Sequence, residues 1–293
     1  MNVLALDIGG TKIALGLVLQ GKMTERKQIP TPSVGSAIAF AQQLLAECQP
    51  WLDKVDSIGV STTGLVTDAG ITAINPDTLA FPTPFPLHTA LQELSGLPVA
   101  MLNDAQAAAW YEYQCLEGDY HNMAYITVST GIGGGLVIDG KLHTGKTNFA
   151  GHVGHMVIDH NGIECGCGQT GCVEAMASGT AIHKQVQQKL SPSISNQTLF
   201  ELAPADPDAE AIIQDSAKAV ATLCSNLKAA LDLDVIVLGG GIGLARGYLD
   251  RVNQYIQSKP LPFQVVLLPA NGNHDACLLG AAYLYSHKMP GEQ

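Results

Sequence analysis

Short apolar runs alternate with amphipathic stretches along the chain. Val3 to Gln20 is apolar except for a glycine-rich break at residues 8 to 10, which predicts two strands joined by a tight turn. Met123 to Asp139, MAYITVSTGIGGGLVID, repeats this plan. At an offset of 119 residues, Thr11, Gly16, Leu17, Val18, Gly21 and Lys22 recur as Thr130, Gly135, Leu136, Val137, Gly140 and Lys141, a weak internal repeat. Between the two hairpins, the pattern predicts a helix over Ala37 to Cys48 and a strand over Ser57 to Ser61 that runs into Thr62-Thr63-Gly64. It then predicts a helix over His88 to Ser95, a short strand over Val99 to Leu102 and a helix over Ala105 to Cys115. Four prolines make Asn75 to Pro86 a loop, because proline removes a backbone donor. Farther on, Glu174 to Leu190 reads as helical, Pro192 to Pro207 as mixed loop, and Ala209 to Ala230 as a long helix. Asp234 to Leu238 is a buried-type strand entering Gly239-Gly240-Gly241. A helix over Tyr248 to Gln257, a strand over Gln264 to Leu268 and an apolar helix over Ala276 to Tyr285 complete the pattern, which is that of an α/β protein with mixed sheets.

With 293 residues and 46% hydrophobic content, the chain can bury one large core or two medium ones. Only 14% of residues are charged and the net charge is -11, which excludes a broad electrostatic grip on nucleic acid or an anionic membrane surface. No run approaches the roughly 20 apolar residues needed to span a bilayer, and MNVLALDIGG carries no basic leader. A cytoplasmic protein is expected. Three of the seven cysteines fall within eight residues, a spacing that suits metal ligation in a reducing compartment better than a disulfide framework.

Several motifs carry candidate chemistry. Asp7-Ile8-Gly9-Gly10-Thr11-Lys12 lies between two strand-like runs, the setting of a phosphate-binding hairpin or of a plain β-turn. It is not a P-loop, because GxxxxGK[ST] is absent and no helix follows. Thr130-Gly131-Ile132-Gly133-Gly134-Gly135 is followed by a β-run, which argues against a dinucleotide fingerprint. Two related lobes, each offering a turn rich in backbone N–H groups, could grip the two ends of a triphosphate. Asn103-Asp104 sits between a strand and a helix, where Asp104 is either a helix cap or a base that takes a proton from a substrate hydroxyl. His155, Cys165, Cys167 and Cys172 read either as a tetrahedral zinc set with no open position, which makes the metal structural, or as ordinary buried thiols; His152 and His160 are competing ligands. Glu174 is a sugar-hydroxyl acceptor or a helix N-terminal charge, and Gly239 to Gly241 are a site for a ribose or planar group or a simple turn.

Together, DIGGTK, ND before a helix, GHVGH and CGCGQTGCVE resemble the ROK family of sugar kinases and transcriptional repressors over nearly the whole chain. The resemblance implies a two-lobed, actin-like ATPase fold with ribonuclease H-like duplicated domains and a small zinc-binding loop. The expected lobes are 1–118 and 119–293, the latter including the loop 155–172, with the C-terminal helix packing back on the first. It further implies that Asp7, Gly9, Gly10, Thr11, Lys12, Thr130 and Gly131 face the phosphates of Mg2+-ATP and that Gly239, Gly240 and Gly241 approach the adenosine. Asp104 is then the catalytic base and Asn103 its sugar-binding neighbour, with His152, His155 and Glu174 reaching sugar hydroxyls and the turn from Ser61 to Gly64, together with Asn75, near an acetamido group. Where many family glucokinases have GExGH, this chain has His152, and an imidazole offers a donor where a carboxylate offers only acceptors. VSTTGLV, AINPDTL and LNDAQAAAWYEY point to the amino-sugar branch, implying phosphorylation of the 6-hydroxyl of N-acetyl-D-mannosamine in sialic acid catabolism. Glucose or N-acetylglucosamine phosphorylation and a non-catalytic sugar-sensing or protein-binding module are the alternatives. The resemblance also implies a homodimer, and a DNA-binding repressor is disfavoured because the hairpin starts so near residue 1.

Overall fold

The structure, a computed structural model, describes all residues except 74–78, 80, 273 and 286–293. The chain divides into two compact units. The first comprises Met1–Cys115, residues 144–149 and the chain from His274 onward; the second comprises Leu116–His143 and Ala150–Asn273.

In the first unit, β1 (Val3–Ile8), β2 (Lys12–Leu19) and β3 (Lys22–Pro30) form an antiparallel meander. Helices α1 (Ala37–Glu47) and α2 (Gln49–Leu52) lead to β4 (Ser57–Thr62), a small hairpin of β5 (Leu65–Thr67) and β6 (Gly70–Thr72), then α3 (Leu87–Ser95), β7 (Val99–Asn103) and α4 (Asp104–Cys115). The sheet order is β3-β2-β1-β4-β7, with β1, β4 and β7 parallel. Every residue of β4 is buried, as expected of a central parallel strand covered on both faces. Leu4, Leu6, Phe40, Leu44, Ile58 and Phe85 belong to the core of this unit.

The second unit repeats the arrangement. β8 (Met123–Val128), β9 (Ile132–Ile138) and β10 (Lys141–His143) form the meander. Helices α5 (Val173–Ala177), α6 (Gly179–Lys189), α7 (Asn196–Leu202) and α8 (Pro207–Leu231) precede β11 (Val235–Gly239), α9 (Gly240–Gly243), α10 (Tyr248–Gln257) and β12 (Val266–Pro269). The order is β10-β9-β8-β11-β12, with β8, β11 and β12 parallel. The repeat pairs therefore have a topological meaning: Thr11 and Thr130 occupy the first hairpin turn of each sheet, and Lys22 and Lys141 open the third strand. Helix α11 (Ala276–Tyr283) returns to the first unit and packs on β1, β2, β4 and α4.

Differences from the predicted elements have local causes. Strand β3 escapes a periodicity reading because its polar run Thr24 to Gln28 is exposed throughout on the sheet edge, so no apolar face alternates. The helical stretch from Glu174 breaks at Ser178, whose extended backbone lets its hydroxyl accept from Ala181 N and start α6 afresh. Helix α7 lies inside the region read as loop; Ser195 caps it by accepting from Thr198 N. Asp206 caps α8 through Asp208 N and Ala209 N, which starts it two residues earlier than its apolar period. Among the described residues, no helix is long and apolar enough to cross a membrane.

Candidate active site

In the first unit the predicted residues gather at the carboxyl ends of the parallel strands, where an α/β sheet offers loops and helix starts to a ligand. The registers align Asp7 with Ser61 on β4, and Ile8 with Thr62, which pairs in turn with Asn103 on β7. The β1–β2 turn is pinned by Gly9 N–H to Lys12 O at 3.0 Å and by Thr31 Oγ1 donating to Gly9 O at 2.8 Å. Gly10, Thr11 and Lys12 are left exposed. Neither Gly9 nor Gly10 has a positive φ, and a Cβ on Gly9 would lie 3.0 Å from Lys12 O, so Gly9 serves close approach and not left-handed backbone.

Asp104 is the first residue of α4 and does the capping work expected of that position, since Oδ1 accepts from Ala105 N at 2.8 Å. Its other oxygen accepts from Thr63 Oγ1 at 3.3 Å. Asn103 locks the surrounding frame by donating from Nδ2 to Gly64 O at 2.9 Å and accepting from Ala105 N at 3.0 Å. Asp104 keeps part of its surface accessible, yet protein encloses the carboxyl; that loss of solvation raises its pKa against the opposing pull of the Ala105, Thr63 and Asn103 hydrogen bonds. Capping and base roles are thus compatible in one side chain.

Asp7 Oδ1 accepts a hydrogen bond from the Ser61 hydroxyl. Burial pushes its pKa to about 6; the Ser61 bond opposes this, the negative charges of Asp104 and Asp275 reinforce it, and Arg26 partly offsets it. Arg26 reaches Asp275 at 2.7 Å. Arg26 and Asp275 are the electrostatic neighbours that sequence reasoning missed: Arg26 lies on the unread edge strand, and Asp275 is brought close by α11. Because the folded pKa of Asp7 is raised, its contribution to stability is fully present below the ordinary value of 3.8 and is lost as pH rises through about 6. Asp7→Asn should therefore be more stable than the parent at pH 7 to 8, by roughly 1 to 3 kcal/mol after losing part of the Ser61 bond. The gain should vanish near pH 4, and paired thermal unfolding curves across this range, without nucleotide, test the sign.

In the second unit, Thr130 and Gly131 lie in the β8–β9 turn, Gly239 ends β11 and Gly240 and Gly241 open α9, again at carboxyl ends of adjacent parallel strands. Thr130 and Gly241 line one cavity of about 370 Å³ together with Thr180 and Asn196. A larger cavity, about 470 Å³, lies beside Ile163, Met176 and Lys218 and contains none of the predicted site residues.

His155, Cys165, Cys167 and Cys172 converge, their ligand atoms all within 4.8 Å of one another. Neither His152 nor His160 is part of this group. His155 Nδ1 lies 3.7 Å from Cys165 Sγ, and Cys167 Sγ lies 3.7 Å from Cys172 Sγ. A zinc ion with sulfur arms of about 2.3 Å needs tetrahedron edges of about 3.8 Å, so the donor set fits that metal. Burial and the neighbouring thiols push the Cys172 thiol up to about 12, a cost to thiolate formation that a divalent cation reverses. The loop is shaped by backbone bonds from Cys165 N–H to Gln169 O and from Gly171 N–H to Ile163 O, both 2.8 Å. Nδ1 is the ring nitrogen that His155 sets toward Cys165 Sγ. Glu174 lies on the first turn of α5 and its Oε2 accepts from Ile132 N at 2.8 Å. Asn75 lies outside the described residues.

The ROK family's sequence profile matches residues 3–288. The N-acetylmannosamine kinase of Vibrio vulnificus strain CMCP6 is 62% identical over 287 residues, covering 97% of this chain and 98% of the relative. Among solved structures, the ROK hexokinase of Thermus thermophilus superposes with a TM-score of 0.83 at 33% identity, covering 96% of this chain and 97% of that one. The ROK-family glucokinase of Streptomyces griseus, solved with glucose and AMPPNP, superposes with a TM-score of 0.77 at 28% identity, covering 97% and 99%.

Proposed function

The chain belongs to the ROK family, as an ATP-dependent sugar kinase of its α/β fold, and from that premise we propose that it transfers the γ-phosphoryl group of Mg2+-ATP to the 6-hydroxyl of N-acetyl-D-mannosamine. The observation that carries the chemistry is the Asp104 carboxyl, enclosed at the end of β7 with one oxygen on Ala105 N–H and the other near the Thr63 hydroxyl. The choice of sugar rests on the Vibrio vulnificus relative, whose likeness spans nearly both chains.

Asp104 orients the 6-hydroxyl and accepts its proton as the oxygen bonds to the γ-phosphorus and ADP departs. A carboxylate whose pKa is raised by burial is a better proton acceptor than an ordinary one. Mg2+, when bound with ATP, neutralises phosphate charge. The N–H groups of the Gly9 to Lys12 and Thr130 to Gly131 turns contact the phosphates, with Asp7 beside the first turn, and Gly239 to Gly241 support the nucleoside. On the sugar side, Asn103, His152, His155 and Glu174 bind hydroxyls, and Gly64 and Asn75 meet the acetamido group. His155 through Nδ1 and the thiolates of Cys165, Cys167 and Cys172 hold structural Zn2+; four protein ligands leave no position for an activated water. The reading places the protein in the cytoplasm as a homodimer acting in amino-sugar breakdown.

ADP release measured with N-acetylmannosamine, N-acetylglucosamine, mannose and glucose tests the sugar. We expect N-acetylmannosamine to lead in kcat/KM. A lead for N-acetylglucosamine or glucose replaces the substrate and keeps the reaction class. Sugar binding with no ADP release from any of the four overturns both.

A further inference from the structure

Beyond its own ladder, the β8–β9 turn is held by residues that follow the last cysteine. Glu174, two residues beyond Cys172, accepts from Ile132 N–H at 2.8 Å. Gly179 N–H donates to Ser129 O at 2.7 Å. Thr180 donates to Thr130 O twice, from its backbone N–H at 3.1 Å and from Oγ1 at 2.9 Å. The fit is close: a Cβ on Gly131 would lie 2.6 Å from Glu174 Oε2, so only glycine lets the carboxylate reach the turn.

The same segment is tied to the metal ligands at its other end. Val173 N–H donates to Met156 O at 3.0 Å, and Cys172 pairs with Val157 in an isolated bridge, beside His155. Helix α5 between these anchors has five residues, too few to hold a position by its own hydrogen bonds. Val173 and Ala177 bury one face of it against α8, and the donor set His155, Cys165, Cys167 and Cys172 fixes where it starts.

We propose that Glu174 is a positioning residue through which the bound zinc sets the shape of the Thr130–Gly131 turn, so that nucleotide affinity depends on the metal even in the absence of sugar. This rests on the reading of that turn as a phosphate contact. Oε2 of Glu174 is committed to Ile132 N–H, which leaves Oε1 for a sugar hydroxyl; one carboxylate thus links the two substrates. Zinc takes no part in phosphorus chemistry under this proposal and acts only by holding the start of α5.

The test is calorimetric binding of Mg2+-AMPPNP to the intact protein without sugar, with zinc content measured in parallel. Glu174→Ala should weaken binding about tenfold, the scale of a lost hydrogen bond to a charged group. Glu174→Gln should stay within about threefold, because the amide oxygen accepts the same N–H. Zinc depletion by a strong chelator, followed by return of Mg2+, should weaken the parent about tenfold and add little in Glu174→Ala, since both act on one link. Parent-like affinity in folded Glu174→Ala, or penalties from zinc loss and Glu174→Ala that multiply in full, overturns the proposal. Should Glu174→Ala fail to fold, zinc depletion of the parent decides, and unchanged affinity refutes the link. If the parent takes up nucleotide normally while these changes have no effect, the kinase reading stands and only this inference falls; a parent that binds no nucleotide removes both.

Discussion

Asp104→Asn is expected to lower kcat by about 10² to 10⁴ while sugar affinity changes little, the effect of removing a positioned general base. The substitution leaves the frame intact, because the asparagine oxygen can still accept from Ala105 N–H and the Thr63 hydroxyl can turn to accept from the new amide. Stability argues the same way. Burial raises the Asp104 pKa, so the ionised carboxylate disfavours the folded state above the ordinary value of 3.8, and the neutral amide should leave thermal stability at pH 7 equal or higher. Lost turnover therefore cannot be blamed on unfolding. In the parent, activity requires the ionised base, so kcat/KM should fall as pH drops, with a midpoint above 3.8. Steady-state kinetics with isothermal sugar titration provides the check: a near-parental kcat in Asp104→Asn, or a profile flat down to pH 4, removes Asp104 from this role.

Gly280→Ala is expected to be nearly as damaging from a site that bears no chemistry. A Cβ at this position of α11 would lie 1.8 Å from Ala107 O in α4, and a backbone oxygen cannot turn aside as a side chain can. Relief requires α11 and α4 to separate. Asp104 begins α4 three residues before Ala107, so a shift of about 1 Å moves the carboxyl relative to Thr63 and costs about 10² in kcat. Overpacking should also remove roughly 1 to 3 kcal/mol of stability. Gly35→Ala is the control, because an added Cβ there has nothing within 4 Å. Parental kcat and melting temperature in Gly280→Ala would show that the helices part without disturbing the base.

Much of the fold was legible because its elements are locally self-consistent. Strands β1, β2, β4, β8, β9 and β11 are apolar runs bounded by glycine or polar residues, and α8 shows its period over 25 residues. The edges were less legible. Exposed β3 has no core face to imprint alternation, and α7 begins at a serine cap inside a polar stretch. The metal ligands were legible for another reason: three cysteines fall so close in sequence that chain geometry alone keeps them together. Partners far apart in sequence, such as Asp7 with Ser61, Arg26 with Asp275 and Glu174 with Ile132, carry no comparable signal.

The sequence by itself determined the local chemistry: two glycine-bearing hairpins with one plan, a carboxylate at a strand-to-helix junction, and a histidine with three cysteines at metal spacing. Each is a property of neighbours along the chain, encoded in periodicity, turn residues and short spacings. Tertiary structure alone decided how each group behaves. The parallel pairing of β1, β4 and β7 sets Asp7 beside Ser61 and brings Thr63 to Asp104, and α11 adds the charge of Asp275 near Asp7. Desolvation and Coulomb interactions depend on distance through space, so pKa values, close helix approach and the tie from the cysteine loop to the Thr130 turn exist only once the strands have paired.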